Sequence, residues 1–283
     1  MAKVNPAAND RTQPFVKWAG GKRQLIPAIS ERLPERWGSY YEPFIGGGAI
    51  LMHFNPERAT INDINSELIH AYRTIRDNPL ELMEAIDGLD AGLIGAKDPK
   101  EQFYIARSQY NELLGAKTLN LDTAALFIFL NKHCFNGLYR VNAKGLFNVP
   151  YNGSTTLSYS RENILAISEY LKSVIILNGD FEVAVGSAKE GDFVFFDSPY
   201  APLNPTSFES YTKEGFAESE HRRLAALFES LTERGCYCML TNHSTELIHE
   251  LYSDYKMDEI QVKRAINSDA SKRTGIEVIV RNY

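Results

Sequence analysis

Apolar positions along the chain repeat with two different periods, and the switch between them divides the molecule. Leu25, Ile26, Ile29 and Leu33 share one side of a 3.6-residue repeat, which predicts a helix after a short opening loop. Residues 39–50 (SYYEPFIGGGAI) read as a strand running into three glycines, and ILMHF opens the helix that follows. RATINDIN is a second short strand with a polar end. SELIHAYRTIRD is a helix with Ser66 as its N-cap. Residues 79–130 carry helical periodicity throughout, ending in the apolar run AALFIFL. Residues 136–151 then alternate about an Asn-Ala-Lys-Gly turn and predict a β-hairpin. After about residue 161 strands and helices alternate again: SVIILNGD, DFVFFDSPY, a helix over residues 218–235, and CYCMLTN. YKMDEIQVKR and GIEVIVRNY close the chain as an antiparallel pair.

Alternating strands and helices imply an α/β fold with a doubly wound, mostly parallel sheet and antiparallel closing strands. A helical and β-hairpin insertion interrupts it. The expected organisation is one domain from residues 1–75 and 161–283 and a second from 76–160. In such sheets ligands bind beyond the carboxyl ends of the strands, so strand ends are where chemistry belongs.

Composition changes this picture little. An apolar content of 44% supplies a sizeable core, and no run of eighteen apolar residues suggests a membrane span. The polar start, MAKVNPAANDRTQP, lacks a signal core. Three cysteines, Cys134, Cys236 and Cys238, make neither a disulfide framework nor a metal set, so a reducing, cytoplasmic setting and no metal are expected. The net charge of −6 speaks against a nucleic-acid partner until its distribution is considered. Between Thr123 and Arg161 there is no acid, yet Lys132, Arg140, Lys144 and Arg161 are present. Lys263, Arg264, Lys272, Arg273 and Arg281 form a second basic group. Acid-free basic surface is what phosphates require.

Three strand ends carry candidate chemistry. Glu42-Pro43-Phe44-Ile45-Gly46-Gly47-Gly48 turns tightly from strand to helix, and glycines there admit a ligand close to the backbone. The spacing is not that of a dinucleotide loop, and Gly20-Gly21-Lys22 lacks the features of a P-loop. Asp63, at the end of the next strand, is placed to accept from ribose hydroxyls. Together they indicate a nucleoside cofactor without a pyrophosphate. Asp197-Ser198-Pro199-Tyr200 follows a buried strand. An exocyclic aromatic amine is a poor nucleophile because its lone pair is delocalised. A carboxylate and a backbone carbonyl accepting its hydrogens favour a pyramidal nitrogen, while an aromatic ring stacks on the base. A Cys134–His133 nucleophile pair is the weaker alternative, because sequence neighbours rarely point at one another.

The segments 15–22 (FVKWAGGK), 42–48 (EPFIGGG), Asn62-Asp63, 136–140 (NGLYR) and 197–200 (DSPY) resemble, in this order, the Dam-type DNA adenine-N6 methyltransferases. The likeness runs from about residue 13 to the end. It implies methyl transfer from S-adenosylmethionine to a flipped-out adenine in double-stranded DNA, within GATC; with no oligomer signal in the sequence, a monomer is the default expectation. It also implies roles: Trp18, Lys22, Phe44, Gly46, Asp63 and Asp197 at the cofactor, and Asp197, Ser198, Pro199 and Tyr200 in catalysis. Lys17, Phe135, Asn136, Leu138 and Arg140 would meet DNA, with Phe135 and Asn136 at the hairpin tip. Two departures stand out. Ser198 replaces the usual proline, and the segment after the hairpin, Asn148-Val149-Pro150-Tyr151-Asn152-Gly153-Ser154, has no arginine and tyrosine where the family has glycine, arginine and tyrosine just after the aromatic position.

Overall fold

The computed structural model describes residues 12–18, 20–203, 216–263 and 274–283. Its centre is a seven-stranded sheet. The strands are β1 (Tyr40–Glu42), β2 (Ala59–Asp63), β3 (Val174–Asn178), β4 (Phe193–Phe196), β5 (Tyr237–His243), β6 (Lys256–Lys263) and β7 (Thr274–Arg281). They lie in the order β3-β2-β1-β4-β5-β7-β6. The first five are parallel, and β7 runs antiparallel to both β5 and β6. The expected mixed α/β sheet is therefore present. Strand order reverses between β1 and β4, so their carboxyl ends diverge and open a crevice.

Burial explains the centre of the sheet. In β4, Phe193 and Phe195 enter the core on one face while Val194 and Phe196 enter the core on the other. A strand covered on both faces reads as an unbroken apolar run. Each such side chain contributes roughly 1.5–3 kcal/mol. At the edge, β3 alternates instead: Val174 and Ile176 are buried, Ile175 is exposed.

Ten α-helices lie among the described residues, including α1 (Ile26–Ser30), α2 (Ala49–Phe54) and α3 (Ser66–Asp77). Next come α4 (Pro79–Ile94), α5 (Pro99–Gly115) and α6 (Leu121–His133). Then follow α7 (Arg161–Leu171), α8 (Phe181–Ala184), α9 (Glu218–Glu233) and α10 (Glu246–Leu251). Helices α4 and α5 pack on α6, and α6 packs on α3. All share the hydrophobic core of one sheet face, so α6 is buried along nearly its whole length.

Several local expectations change. The first helix is only five residues, because a 3-10 turn over Lys22–Gln24 precedes it. Asn65, not Ser66, caps α3; its side chain accepts from Leu68 N–H. The hairpin is open: Val141–Phe147 and Cys134–Tyr151 are isolated bridges, and the Asn142 side chain closes the turn by accepting from Lys144 and Leu146. Phe135 and Asn136 lie at the foot of this hairpin, in a 3-10 turn, rather than at its tip. Of the second basic group, Arg264, Lys272 and Arg273 lie outside the described residues. Arg281 is committed to Asp258.

Candidate active site

A cleft of about 2210 Å³ runs along the carboxyl ends of β1, β2, β4 and β5. The corner at β4 and β5 follows from register. Phe196 pairs with Leu240, so the next residue on each strand, Asp197 and Thr241, come side by side. Thr241 Oγ1 donates to Asp197 Oδ1 at 3.1 Å, and Lys22 Nζ reaches the same oxygen at 2.5 Å. Among the described residues nothing bonds Oδ2, and Asp197 lines the cleft. Burial pushes the Asp197 carboxyl up, and Lys22 is the largest influence in the other direction.

Tyr200 is held from three sides. Lys22 Nζ sits 4.2 Å from its ring centroid, His243 packs edge-on at 4.7 Å, and the phenol donates to Glu277 at 2.9 Å. Glu277 is opposite His243 across the β5–β7 ladder, which is why it reaches the tetrapeptide. Asn242 braces the turn. Its Oδ1 accepts from Ala201 and His243 N–H, and its Nδ2 donates to Ser198 Oγ at 3.4 Å. Neither Ser198 nor Asn242 is exposed beyond 2%.

The second corner lies at β1 and β2. Asp63 accepts from Gly46 N–H at 3.0 Å and Asn65 N–H at 2.9 Å, and burial raises its pKa. Phe44 and Phe181 face each other with centroids 5.2 Å apart, beside Asp180 and an exposed Ile64. The glycine loop packs tightly on protein. A Cβ on Gly46 would sit 2.8 Å from Trp18 Cδ1, and one on Gly48 would sit 2.5 Å from the Tyr72 hydroxyl. Both glycines have positive φ. Their first requirement is thus Trp18 and Tyr72, which the reading of close ligand approach did not foresee.

The structure therefore brings Trp18, Lys22, Phe44, Gly46, Asp63, Asp197, Ser198, Pro199 and Tyr200 to one cleft, with Lys17 at its rim. Phe135, Asn136, Leu138 and Arg140 are not among the residues lining it. Phe135 and Asn136 are exposed in their turn, and Arg140 donates to Asn148 at 2.8 Å on the surface. Sequence reading missed Ile64, Asp180, Phe181, Thr241, Asn242, His243 and Glu277. The polar end of CYCMLTN, at a core strand's carboxyl end, was the available signal for two of them.

The rival pair dissolves. Cys134 is buried with its thiol pushed up to about 11, and His133 turns to Ser158 and Asp90. No group of side chains among the described residues suits a metal ion, and no described helix is long and apolar enough to cross a membrane.

The sheet order, its reversed final hairpin and the acid-led tetrapeptide after β4 define a Rossmann-like methyltransferase. A family model described as D12 class N6 adenine-specific DNA methyltransferase matches residues 18–266. The chain is 43% identical over 276 residues to the Type II methyltransferase M1.LlaDCHI of Lactococcus lactis subsp. cremoris, covering 96% of this chain and 95% of the relative. It is 38% identical over 291 residues to the Type II methyltransferase M.MjaIII of Methanocaldococcus jannaschii, covering 96% and 99%. It is 30% identical over 270 residues to the DNA adenine methylase of Haemophilus influenzae, covering 95% and 92%. The chain belongs to the D12 class N6 adenine-specific DNA methyltransferases, and it is an adenine-specific DNA methyltransferase.

Proposed function

We propose that the cleft holds S-adenosylmethionine and a flipped-out adenine side by side, and that the chain, as a monomer, methylates adenine N6 within GATC in double-stranded DNA. The observation that carries this reading is the division of labour at Asp197. One oxygen is fixed by Lys22 and Thr241, the other has no partner among the described residues, and Asp197 lines the cleft together with Tyr200.

The cofactor corner suits an adenosine-bearing cation. Phe44, Phe181 and Ile64 offer apolar surface for a flat ring, and Asp63 and Asp180 are acceptors for hydroxyl or amine groups. Glu42, fully buried in β1, adds a further acid near Asp197, though burial favours its neutral form. Such a lining is hostile to a pyrophosphate and tolerant of a sulfonium. S-adenosylmethionine supplies an electrophilic methyl group. Trp18 and Lys22 line the same space, with Gly46 closing its floor through Asp63.

At the other corner, Asp197 Oδ2 accepts one hydrogen of the target amine and the Ser198 backbone carbonyl accepts the other. This turns the nitrogen lone pair out of the ring plane and towards the methyl group. The site is preorganised, so the effect needs no rearrangement during reaction. Tyr200 stacks on the base, and Pro199 fixes the turn between them. The amine cannot reach this corner from within a duplex, so the adenine must leave the stack.

The insertion, residues 76–160, is the target-recognition unit in this reading. Phe135 and Asn136 fill the gap beside the extruded base, Lys17, Leu138 and Arg140 read neighbouring bases, and arginine suits guanine in the major groove. Methylation-sensitive long-read sequencing of DNA from a methylation-free host expressing the chain tests the proposal. N6-methyladenine confined to GATC is expected. Modification at a different motif would remove the GATC assignment, and no modified base at all would remove the assignment of the catalytic corner.

A further inference from the structure

Between the two halves of the site lies a residue that neither touches the catalytic corner nor is exposed. Asn131, near the end of α6, is 3% exposed. Its Oδ1 accepts from Lys17 N–H at 2.8 Å, and its Nδ2 donates to Lys17 O at 2.8 Å. The second Nδ2 hydrogen goes to Gly137 O at 2.9 Å. The donors and acceptors leave no choice of amide orientation: one N–H must meet an oxygen and two carbonyls must meet the nitrogen. A single side chain thus ties the backbone before Trp18 to the exposed turn Phe135–Gly137.

The junction is tight on both sides. Gly137 has φ +65°, and a Cβ there would sit 2.4 Å from Lys17 Cβ. Trp18 stacks on Tyr139, two residues beyond Gly137, at 5.8 Å and 20°. Trp18 also packs closely on Gly46 and Gly47 of the glycine loop. A displacement of the Phe135–Gly137 turn therefore meets Lys17 and Trp18 before any solvent gap can absorb it.

We infer that Asn131 is a positioning residue that couples engagement of DNA at the Phe135–Gly137 turn to cofactor affinity at the glycine loop. The inference rests on the functional reading above, which places DNA and cofactor at those two ends. Linkage makes the coupling reciprocal: DNA tightens cofactor binding by the same factor as cofactor tightens DNA binding. Packing alone would hold the two segments together; the three hydrogen bonds make their relative register matter.

The test is the affinity for S-adenosylhomocysteine, measured calorimetrically with and without a duplex carrying the motif that the chain methylates. For the unaltered chain the duplex is expected to tighten binding, within the range of about 5- to 150-fold usual for coupled sites. Asn131→Asp keeps the shape and the acceptor for Lys17 N–H but loses both donors, and its ratio is expected to fall to about one. Gly137→Ala, with Asn131 intact, disturbs the same junction from the DNA side and is expected to reduce the ratio as well. It carries the test if Asn131→Asp does not fold, which a melting curve shows. Retention of the full ratio by a folded variant, or a ratio of one in the unaltered chain, overturns the inference and leaves the functional reading standing. A chain that binds no S-adenosylhomocysteine removes the functional reading and this inference together.

Discussion

Proline at position 198 is expected to be nearly neutral for stability, whereas alanine is not. Ser198 Oγ is the acceptor for Asn242 Nδ2, at 3.4 Å, and both residues are buried. Asn242 Oδ1 is already engaged by two backbone N–H groups, so the side chain cannot turn to find another partner without loss. Alanine removes the acceptor and strands a buried amide hydrogen, which costs about 1–3 kcal/mol. The long distance places the effect near the lower end, about 1 kcal/mol. Proline removes the same acceptor. It also removes the Ser198 N–H, which has no acceptor among the described residues. Deleting that N–H breaks no hydrogen bond among the described residues. The lost freedom of the unfolded chain returns about 0.4–1 kcal/mol where φ is compatible. In a chain of this size 1 kcal/mol moves the melting temperature by about 2–4 °C. Ser198→Ala should therefore melt about 2–4 °C lower, and Ser198→Pro should melt within about 2 °C of the unaltered chain. Thermal denaturation gives the first comparison and single-turnover methyl transfer at saturating cofactor the second. Proline, by stiffening the turn, is expected to transfer at least as fast. A proline variant that melts as low as alanine, or transfers more slowly than serine, would refute the reasoning and give the serine N–H or hydroxyl a positive role.

Other outcomes follow from the same corner and from the exposed turn. Asp197→Ala should abolish transfer while a gel-shift assay still shows duplex binding; loss of both would put the residue in a structural role. Lys22→Gln removes the main influence holding the Asp197 carboxyl down, so its pKa rises. The acceptor is then ionised only at higher pH, and the acid limb of the pH–rate profile, taken at saturating cofactor, should move upward. An unmoved limb would show that Lys22 does not control Asp197. Arg140→Ala should reduce discrimination at a single base pair by about 1–3 kcal/mol in competition assays on variant duplexes. Equal weakening on every sequence would make it a phosphate contact.

Most of the sheet was legible because its strands are short apolar runs bounded by turn residues, as in FVFF before Asp197. The placing of Asp63 and Asp197 in the cleft was legible for the same reason: both are acids where the core ends. What stayed hidden depends on pairing between strands far apart in sequence. Glu277 faces Tyr200 only because β7 runs antiparallel to β5 in one register, and no local pattern states that register. Asp180 and Phe181 enter the cleft from the turn after β3, where the sequence showed only the end of the strand SVIILNGD. The N-cap was misplaced by one residue since Asn65 and Ser66 are both good caps and only the Leu68 N–H chooses between them. The hairpin misled in the opposite sense. Its alternation was read correctly, but the exposed pair Phe135 and Asn136 belongs to a separate turn below it.

The central strands have a consequence for how the molecule is made. Tyr40 pairs with Phe193 and Ala59 with Val174, while α3 to α6 make their contacts largely among themselves. During synthesis the helices emerge as neighbours and can collapse locally. Strands β1 and β2 pair with each other, but their outer neighbours, β4 and β3, lie more than a hundred residues downstream, the long-separation closure that slows folding. Glu42 and Asp63 are translated early, yet the cleft they line is incomplete until Asp197 and Glu277 have been added. An unfinished chain lacks Glu277, and with it the part of the cleft wall that β7 adds from its place between β5 and β6.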